Sequence, residues 1–516
     1  MLQTQLRNKN MELLIFLIVI AVGLATAFYL YNDDKYSLVY YGDSASHLVA
    51  ARKIFDWAEN PGLAQVGTVW LPLPHFLLTP FVLINPLFTT GFAGVAVSLP
   101  CLAITSLFLY KMIRSITGYS HIAFAGALLY AFNPNIMYMG ITAMTEAPFM
   151  LFFVGGAYYF HRWYQNFNSS KSHDLVKCSI LISLATFSRY EGWFIPVILL
   201  ILVSFLIMKS GLDRRQKVCT VLVSLISFSC IAIWVIYNFL NYGNPFEFAD
   251  AQFYSAASQA ANRPYREMLF MQPLNVASVY GTAAAVIYGP VLLVTAALGI
   301  ILHNQLKENR EKKILFIFLA VPPVFTVISL LIGIGEMSFW FNARFLMLLS
   351  PLIIVASSLF VGRIHERIRK KTSLLGIIII LFLYPVISTV IGVPTYIDAV
   401  NGFTYNQNSS SVQVGEKLGQ IYDGGTIYIM AGSAPGQRIM ISSGIALKNF
   451  DDIIDLSTWK SSFTEPWLYD KWMIIGKVPY SDTQSVTKYW IENQDQLNEH
   501  YNLVYENDYY KILIRK

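Results

Sequence analysis

The sequence predicts a polytopic α-helical membrane protein that carries a small α/β domain at its C-terminal end. Of the 516 residues, 55% are hydrophobic and 13% are charged, a composition that excludes an ordinary soluble globular protein. Apolar stretches of about 18–22 residues recur as far as residue 393, and each is long enough to cross a hydrocarbon layer roughly 30 Å thick. From about residue 395 the chain becomes polar, which indicates a separate domain outside the lipid.

We predict about eleven transmembrane helices in the apolar part. The fifth is short and the sixth begins almost directly after it, so this corner of the bundle is expected to dip below the outer interface. The first has no small-residue cleavage site before Asn32 and is predicted to be a retained span, not a signal peptide. The spans lie near residues 11–31, 93–111, 121–140, 147–163, 175–188, 192–209, 218–240, 281–303, 314–334, 345–362 and 373–393.

The basic residues between these spans fall on one side of the membrane when crossings are counted from the N-terminus. The positive-inside rule makes that side the cytoplasm. These loops hold more than half of the 37 basic residues, so orientation accounts for the net charge of +6, and nucleic acid is not an expected partner. The clusters are Arg7/Lys9, Lys111/Arg114, Arg162/Lys171/Lys177, Lys209/Arg214/Arg215/Lys217, Lys307/Arg310/Lys312/Lys313 and Arg363/Arg367/Arg369/Lys370/Lys371.

Residues 70–90 are apolar enough to cross the membrane but contain four prolines: Pro72, Pro74, Pro80 and Pro86. Proline removes a backbone donor and disrupts a continuous helix. Counting this stretch as a crossing would also invert every later basic loop. We therefore predict a helix pair in or near the outer interface, within a first outer loop at 32–92; a second long outer loop spans 241–280.

These assignments divide the chain into a transmembrane module, 1–393, and a soluble extracytoplasmic α/β domain, 394–516. The protein is thus expected in the cytoplasmic membrane with its N-terminus inside. The segment Gly432-Ser433-Ala434-Pro435-Gly436 is predicted to be a turn and not a phosphate-binding loop. The elements expected in the domain are the runs Thr426–Met430 and Trp472–Gly476, a helical pattern over Asp482–His500, and a final pair, Asn502–Glu506 and Tyr509–Ile514.

Cysteine usage gives no sign of a disulfide framework or a metal site. All four cysteines lie in or beside predicted spans, and their spacing matches no metal-binding motif. They are Cys101, Cys178, Cys219 and Cys230.

Asp43 is the first candidate for chemistry. It precedes a stretch in which Leu48, Ala51 and Ile54 recur at helical spacing, which predicts an amphipathic interfacial helix. An aspartate in this position is often an N-cap, and that structural role is about as probable as a functional one. A carboxylate held in place in this way would suit a general base.

Glu146 and a group of residues around Arg189 lie on the same predicted side. Glu146 could simply be a first-turn glutamate favoured by the helix dipole. Together with Asp43 it could divide base and orienting roles, or hold a divalent cation through oxygen ligands. Arg189 and Arg344 could be interfacial anchors, but two arginines beside acids suit the bidentate binding of phosphate oxygens.

Weaker candidates complete the predicted site. Arg52, Lys53, Arg263 and Arg266 are weaker candidates for phosphate binding. Basic residues of this kind are more often merely solvated. Glu191, Tyr190 and His75 are expected to orient the substrate. His47 and His75 are both near aromatic residues, and neither is assigned as a metal ligand; the metal requirement is left open.

These residues and their order resemble the GT-C superfamily of integral-membrane glycosyltransferases. The chain is most similar to the branch of the protein O-mannosyltransferases and the lipid A aminoarabinose transferase, especially its prokaryotic, family-39-like members. The resemblance covers roughly residues 1–393. It rests on Gly42-Asp43-Ser44, Trp70-Leu71-Pro72-Leu73-Pro74-His75, Met144-Thr145-Glu146 and Arg189-Tyr190-Glu191-Gly192-Trp193.

The resemblance implies a hexosyltransferase that inverts the sugar. The donor would be a polyprenyl-phosphate sugar and the acceptor a protein, lipid or glycan hydroxyl on the outer face. Asp43 would be the catalytic base, Glu146 the second acid, and Arg189 and Arg344 the phosphate ligands. The family often has two adjacent acids where this chain has Asp43-Ser44, and the Trp-Trp-Asp motif of oligosaccharyltransferases is absent.

Two other classes of function remain open. A transporter or flippase for lipid-linked glycans would need charged residues or broken helices near the middle of the membrane, whereas the charges here cluster at one rim. A non-catalytic assembly factor could bind the same lipids without turnover.

Overall fold

The computed structural model describes residues 2–58, 60–167, 173–250, 264–304, 310–368, 371–404, 408–429, 434–452, 464–477 and 485–516. Arg263 and the Gly432-Ser433 part of the predicted turn lie outside these ranges, as do the basic residues Lys171, Lys307, Arg369 and Lys370. Most of the described chain is helical.

Some of the breaks between helices in the first half of the chain fall at glycine or proline, among them those at Gly91, Gly118 and Pro134. The helices are α1 Leu2–Asp33, α2 Gly42–Lys53, α3 Leu73–Val82, α4 Asn85–Thr90, α5 Phe92–Thr117, α6 Ser120–Ala131, α7 Pro134–Met139, α8 Glu146–Gln165, α9 His173–Thr186, α10 Phe194–Met208, α11 Arg214–Leu225, α12 Ser229–Tyr242 and α13 Glu247–Asp250.

The later helices continue the bundle and then enter the C-terminal part. They are α14 Pro264–Leu269, α15 Pro273–Tyr288, α16 Pro290–Asn304, α17 Arg310–Leu319, α18 Val321–Leu331, α19 Ser350–Ile368, α20 Lys371–Ile391, α21 Pro394–Thr404, α22 Asn408–Ile421, α23 Ala434–Ser443, α24 Ser485–Glu492 and α25 Gln494–His500.

Six helical segments of the described chain are long and apolar enough to cross a membrane, or eight if each of two bent pairs is one span. The predicted number of eleven is therefore not confirmed. The predicted span over 281–303 falls on a bent pair of helices, because α15 and α16 meet at 108°. The break falls at Gly289, whose φ of 76° favours glycine, followed by Pro290. The six segments are Lys9–Asp33, Phe92–Thr117, Tyr190–Met208, Arg214–Tyr242, Ala343–Arg367 and Leu375–Thr404.

Helix α5 lies at the centre of the bundle and packs against α1, α6, α8 and α19. Gly94 on α5 lies against the backbone that leads into α8. A Cβ atom at this position would be 2.4 Å from the backbone nitrogen of Ala143, so a larger residue would displace this backbone. The close approach fixes the chain three residues before Glu146, where α8 begins.

The proline-rich stretch forms two short helices, α3 and α4, as predicted; their depth in a membrane remains a prediction. Helix α2 differs from the expectation. It was predicted to be amphipathic at an interface, but residues 44–52 are all buried. The reason is that α3 packs against one side of α2 and α23, from the C-terminal part, packs against another.

The C-terminal part contains a five-stranded mixed sheet with strand order β2-β1-β3-β5-β4. Strands β1 and β3 fall on the first two predicted runs, and β4 and β5 on the final pair. Strand β1 is parallel to β2 and β3, whereas β5 is antiparallel to β3 and β4. The strands are β1 Ile427–Ile429, β2 Phe450–Asp452, β3 Trp472–Gly476, β4 Tyr501–Glu506 and β5 Tyr510–Arg515.

The C-terminal part is tied directly to the segment that carries Asp43. Arg438 on α23 is buried, and its Nη2 donates to the backbone oxygen of Tyr40 at 2.7 Å. The side chain of Asn85 donates to the backbone oxygen of Gly444 at 3.2 Å. Helix α2 is therefore held between the membrane bundle and the sheet domain.

Candidate active site

Asp43 lies in the first turn of α2 and points at an arginine from a distant part of the chain. The N-cap residue is Tyr41, which makes no side-chain capping bond, so the reading of Asp43 as an N-cap is wrong. The Oδ2 atom of Asp43 lies 2.7 Å from Nη2 of Arg344. The side chain of Asp43 remains 42% exposed, whereas that of Arg344 is 13% exposed. One face of the carboxylate is thus accessible.

The pKa of the Asp43 carboxyl is set by two opposing effects. Its position in the protein disfavours the charged form, but the guanidinium of Arg344 outweighs this, with help from Arg189. The pKa of Asp43 is therefore lower than its usual value, and the group is a carboxylate at neutral pH. Its place near the beginning of a helix favours the same negative charge.

Glu146 forms the second half of the site. Its Oε1 atom accepts a hydrogen bond from Nη1 of Arg189 at 2.8 Å and lies 3.8 Å from Nε of Arg344. Its Oε2 atom is buried and has no hydrogen-bond partner among the described residues. The Nε atom of Arg344 is likewise buried without an acceptor in that part of the chain. A hydrogen-bond acceptor on Glu146 and a hydrogen-bond donor on Arg344 therefore remain without partners in this cluster.

Arg189 precedes a 3-10 turn at Tyr190–Trp193, and its backbone is extended. Its guanidinium donates to both carboxylate oxygens of Glu191, at 2.6 and 3.3 Å, and to the hydroxyl of Thr145 at 2.7 Å. This fork geometry is one that arginine provides and lysine does not. Glu191 thus orients Arg189, and its expected role in orienting the substrate stays a prediction.

The two arginines share an aromatic ring. The guanidinium carbons of Arg189 and Arg344 lie 5.6 and 5.5 Å from the centre of the Phe345 ring, and that of Arg344 lies 5.3 Å from the Tyr41 ring. Rings at these distances attract a cation and limit its movement. Sequence reasoning missed Thr145, Phe345 and Tyr41, although Thr145 and Phe345 adjoin predicted site residues and Tyr41 lies two residues before Asp43.

His47 lies one helical turn after Asp43 and forms a pair with His75. His75 Nδ1 lies 3.2 Å from the backbone oxygen of Leu71, which can only accept, so Nδ1 carries the hydrogen and Nε2 is an acceptor. His47 Nδ1, 3.0 Å from that Nε2, must then be the donor. Burial lowers the pKa of His47 to about 4 and that of His75 well below its usual value, so both rings are neutral. Both ring nitrogens of the predicted orienting residue His75 are therefore engaged.

Tyr190 links the arginine turn to two other elements. Its hydroxyl donates to the backbone oxygen of Val69 at 2.8 Å and accepts from the indole nitrogen of Trp234 at 3.3 Å. Since the neighbouring residue is Arg189, Tyr190 holds the backbone of that arginine in place.

Arg52 is not brought into this cluster. It lies at the other end of α2, nine residues after Asp43, or about 13 Å along a helix. Its Nε donates to Asp56 at 2.7 Å and its Nη1 to Asn85 at 2.8 Å, and the guanidinium lies over the Phe88 ring. The weaker candidates also lie on rings, Lys53 over Trp57 and Arg266 over Phe270.

The cluster combines two guanidinium groups with the three carboxylates of Asp43, Glu146 and Glu191. In the described part of the chain, no group of three or more histidine, cysteine, aspartate or glutamate residues is arranged to hold a metal ion. The arrangement offers an accessible carboxylate beside a fixed cation that has an unused donor. Such a site can bind an anion and accept a proton next to it.

Comparison with known proteins identifies the fold. Residues 72–237 match the model of a family described as dolichyl-phosphate-mannose-protein mannosyltransferase. This segment includes Glu146, Arg189 and Glu191, whereas Asp43 and Arg344 lie outside it. No curated protein sequence matches the chain significantly.

Several solved structures are similar to the whole chain. ArnT from Cupriavidus metallidurans, bound to undecaprenyl phosphate or in the apo state, has a TM-score of 0.55 at 11% identity, covering 96% of this chain and 97% of ArnT. AglB from Archaeoglobus fulgidus, in complex with an inhibitory peptide and a dolichol-phosphate, has a TM-score of 0.49 at 13% identity, covering 95% and 72%.

The resemblance predicted from the sequence is confirmed. The chain has the GT-C fold over nearly its full length, and the family match supports the ArnT and protein mannosyltransferase branch. It is an integral membrane protein with several spans.

Proposed function

We propose that this GT-C protein is an inverting glycosyltransferase that moves a sugar from a polyprenyl-phosphate donor to an acceptor hydroxyl on the outer face of the membrane. The observation that carries the proposal is the position of Arg344. It pairs with the exposed carboxylate Asp43 through Nη2, while its buried Nε has no acceptor among the described residues. A phosphate oxygen of the donor would occupy that position.

The donor class follows from the chemistry and is supported by the comparisons. Nucleotide sugars are cytoplasmic, so an outer site needs an activated sugar whose carrier has crossed the membrane. A polyprenyl phosphate provides this, since its chain stays in lipid while its phosphate meets the two arginines. The matched family is described by a dolichyl-phosphate donor, and the ArnT structure contains undecaprenyl phosphate.

The reaction would proceed as a single displacement. Asp43 accepts the proton of the acceptor hydroxyl, and the oxygen forms a bond to the anomeric carbon from the face opposite the phosphate. The bond between that carbon and the phosphate oxygen breaks, and the electron pair leaves with the polyprenyl phosphate. The configuration at the sugar is inverted, and the leaving group gains a negative charge.

The two arginines would stabilise that charge as it develops. Arg344 is fixed by Asp43 and two aromatic rings, and Arg189 by Glu146, Glu191 and Thr145. Groups that are fixed before the reaction need no reorganisation during it, which is the main source of electrostatic catalysis.

Donor binding would also activate the base. Asp43 is a weak base in the free protein because Arg344 lowers its pKa. When Arg344 also binds the donor phosphate, its stabilisation of the Asp43 carboxylate is partly offset by the phosphate charge. The pKa of Asp43 then rises towards its ordinary value, so proton transfer becomes easier once the donor is bound.

The test is a transfer assay with the purified protein. The protein is incubated with a panel of undecaprenyl- and dolichyl-phosphate sugars and candidate acceptors, and released lipid phosphate is measured by mass spectrometry. Asp423→Asn is a matched control, since Asp423 is an exposed aspartate paired with a cation, Lys471, at 2.7 Å. Release by the wild type and Asp423→Asn, but not by Asp43→Asn, is expected. No release from any donor by the wild type would overturn the proposal.

The side of the membrane has its own test. In a background in which the four native cysteines are replaced by serine, a cysteine in place of Ala58, an exposed residue shortly after α2, is labelled with a membrane-impermeant maleimide in intact cells and in inverted vesicles. Protection in intact cells together with labelling only from the cytoplasmic side would contradict an outer site.

The bent pair α15 and α16 bears on the transporter alternative. Transporters place charged groups or ions at such breaks in the membrane. Residues 273–304 contain no aspartate, glutamate, lysine or arginine, and the charged cluster lies elsewhere. The broken helix therefore does not favour transport over transfer.

A further inference from the structure

Helix α21 follows the last long helix after a break at Gly392 and carries an acidic residue, Asp398, that reaches two other parts of the chain. The Oδ2 atom of Asp398 accepts a hydrogen bond from the hydroxyl of Tyr41 at 2.6 Å. The same oxygen accepts one from the backbone nitrogen of Asn342 at 2.9 Å. Asp398 is 9% exposed, so these bonds are shielded from water.

Both partners adjoin the charged pair at the centre of the site. Tyr41 is the N-cap of α2, two residues before Asp43, and its ring lies 5.3 Å from the Arg344 guanidinium. Asn342 is two residues before Arg344. One carboxylate oxygen therefore holds the Tyr41 side chain, two residues before the base, and the Asn342 backbone, two residues before the arginine.

The conformation of Asn342 makes its bond to Asp398 important. Its φ is 56°, in the left-handed region, which costs free energy for a residue other than glycine. Its side chain donates to the backbone oxygen of Glu336 at 3.2 Å and its backbone nitrogen to Asp398. These two bonds hold the turn that aims Arg344 towards Asp43.

Helix α21 is itself fixed to the bundle. The backbone nitrogen and hydroxyl of Thr395 both donate to the side-chain oxygen of Asn135, at 3.1 and 3.2 Å. Asn135 lies on the short helix α7, and both residues are fully buried. Asp398 is thus a rigid bridge and not a mobile surface acid.

We propose that Asp398 is a positioning residue that keeps the Asp43 carboxylate and the Arg344 guanidinium in register for sugar transfer. The inference rests on the proposed function. Asp398 acts through Tyr41 and Asn342 and touches no reacting atom. It also makes the active site depend on the segment that joins the membrane bundle to the sheet domain, outside the part matched by the family model.

Two variants separate its hydrogen bonds from its charge. Asp398→Ala removes the shared acceptor, and kcat is expected to fall about 10- to 100-fold, since a shift of about 1 Å in a reacting group has this size of effect. Asp398→Asn keeps one oxygen that can accept both bonds, and kcat is expected to stay within about threefold of the wild type.

The matched control is Glu416→Ala. Glu416 on α22 accepts a hydrogen bond from the hydroxyl of Tyr36 at 2.6 Å, which links the same early segment to the C-terminal part by the same kind of bond. Tyr36 is not adjacent to a charged residue of the site cluster. Glu416→Ala is therefore expected to keep kcat within about threefold.

A second measurement does not depend on turnover. Hydrogen–deuterium exchange is followed by mass spectrometry over residues 338–346 and 37–46 in each purified variant. Asp398→Ala is expected to raise the exchange rate in both segments at least tenfold, with Asp398→Asn and Glu416→Ala close to the wild type.

The outcomes separate the two proposals. If the wild type releases no lipid phosphate, the proposed function fails, and exchange still shows whether Asp398 holds the two segments. If the wild type is active but Asp398→Ala retains full kcat or normal exchange, the role of Asp398 is overturned. If Asp398→Ala does not fold, Tyr41→Phe removes one of the two bonds, and a loss of kcat at least threefold is expected; unchanged kcat would reject the role.

Discussion

Helix α2 has an arginine–carboxylate cluster at each end, and the two clusters differ in what they leave unsatisfied. At its beginning, Asp43 pairs with Arg344 at 2.7 Å and remains 42% exposed. At its end, Arg52 pairs with Asp56, also at 2.7 Å, and both side chains are largely buried. Because both ion pairs have the same distance, the distance between arginine and carboxylate does not distinguish a functional site from a structural contact.

The difference lies in the remaining partners. Asp56 also accepts hydrogen bonds from the backbone nitrogens of Leu447 and Lys448, at 3.0 and 3.3 Å. This cluster thus fastens the C-terminal part to α2 and has its carboxylate oxygens occupied. At the other end, Arg344 Nε has no acceptor among the described residues. A buried polar group without a partner costs free energy, and the proposed donor phosphate would supply the missing acceptor.

The largest expected effect distinguishes the two ends directly. Asp43→Asn removes the base and is expected to reduce kcat by about 10²- to 10⁴-fold, the usual contribution of general base catalysis. Asp56→Asn, at the other end, is expected to keep kcat within about threefold. The measurement is the rate of lipid-phosphate release per folded protein. Equal losses in both variants would mean that α2 contributes only structure.

Arg189→Ala is expected to have the next largest effect, on both stability and activity. It removes the hydrogen-bonded partner of the buried Glu146 carboxylate, which keeps only Arg344 at 3.8 Å, and breaking a buried ion pair costs up to about 3–5 kcal/mol. Arg189→Lys should restore folding but not the fork to Glu191, so activity stays reduced about tenfold or more. Thermal unfolding and lipid-phosphate release are measured on both variants. Full activity in Arg189→Lys would show that only the charge matters.

Arg52→Ala should affect the attachment of the C-terminal part and not the chemistry. It removes hydrogen bonds to Asp56 and Asn85, worth about 1–3 kcal/mol when a charged donor is lost. Limited proteolysis is expected to release the C-terminal part faster, while kcat stays within about fivefold. A selective rise in KM for the donor would instead assign Arg52 to phosphate binding.

The smallest effect is expected in the pH dependence. Asp43 has a lowered pKa, so its ionised form and the stability it contributes are present above about pH 4 and are lost as pH falls through the lower folded value. His47, with a pKa of about 4, is also neutral at higher pH. The value of kcat/KM should therefore not decrease as the pH is lowered from about 7.5 to 5.5. A decrease near pH 6.5 that disappears in His47→Gln would contradict this.

The sequence predicted which residues form the site better than it predicted how they contact one another. Asp43, Glu146, Arg189 and Arg344 were assigned to the same side by counting basic loops, and the structure brings them together. Arg52 was a weaker candidate for the same phosphate-binding role, yet its partners are Asp56 and Asn85, which in turn bond to the C-terminal part. Helix α2 had the pattern of a surface helix because the elements that cover it are far away in the chain.

What the sequence determined by itself is local or statistical. Apolar runs defined a membrane protein, the proline content of residues 70–90 predicted a pair of short helices, and the acidic motifs were predicted to lie opposite the basic loops. These features depend on residues close together in the chain, because hydrophobic transfer and backbone donors act over short stretches.

The tertiary structure alone decided which charges meet. Asp43 pairs with Arg344, which lies far along the chain, and the hydrogen bond from Tyr41 to Asp398 joins residues 357 positions apart. An ion pair depends on distances of a few ångström and on which partners remain for each oxygen and nitrogen. Packing of helices that are distant in the chain sets those distances. Arg344 therefore contacts an accessible carboxylate, whereas Arg52, which has the same guanidinium group, is buried in a structural contact.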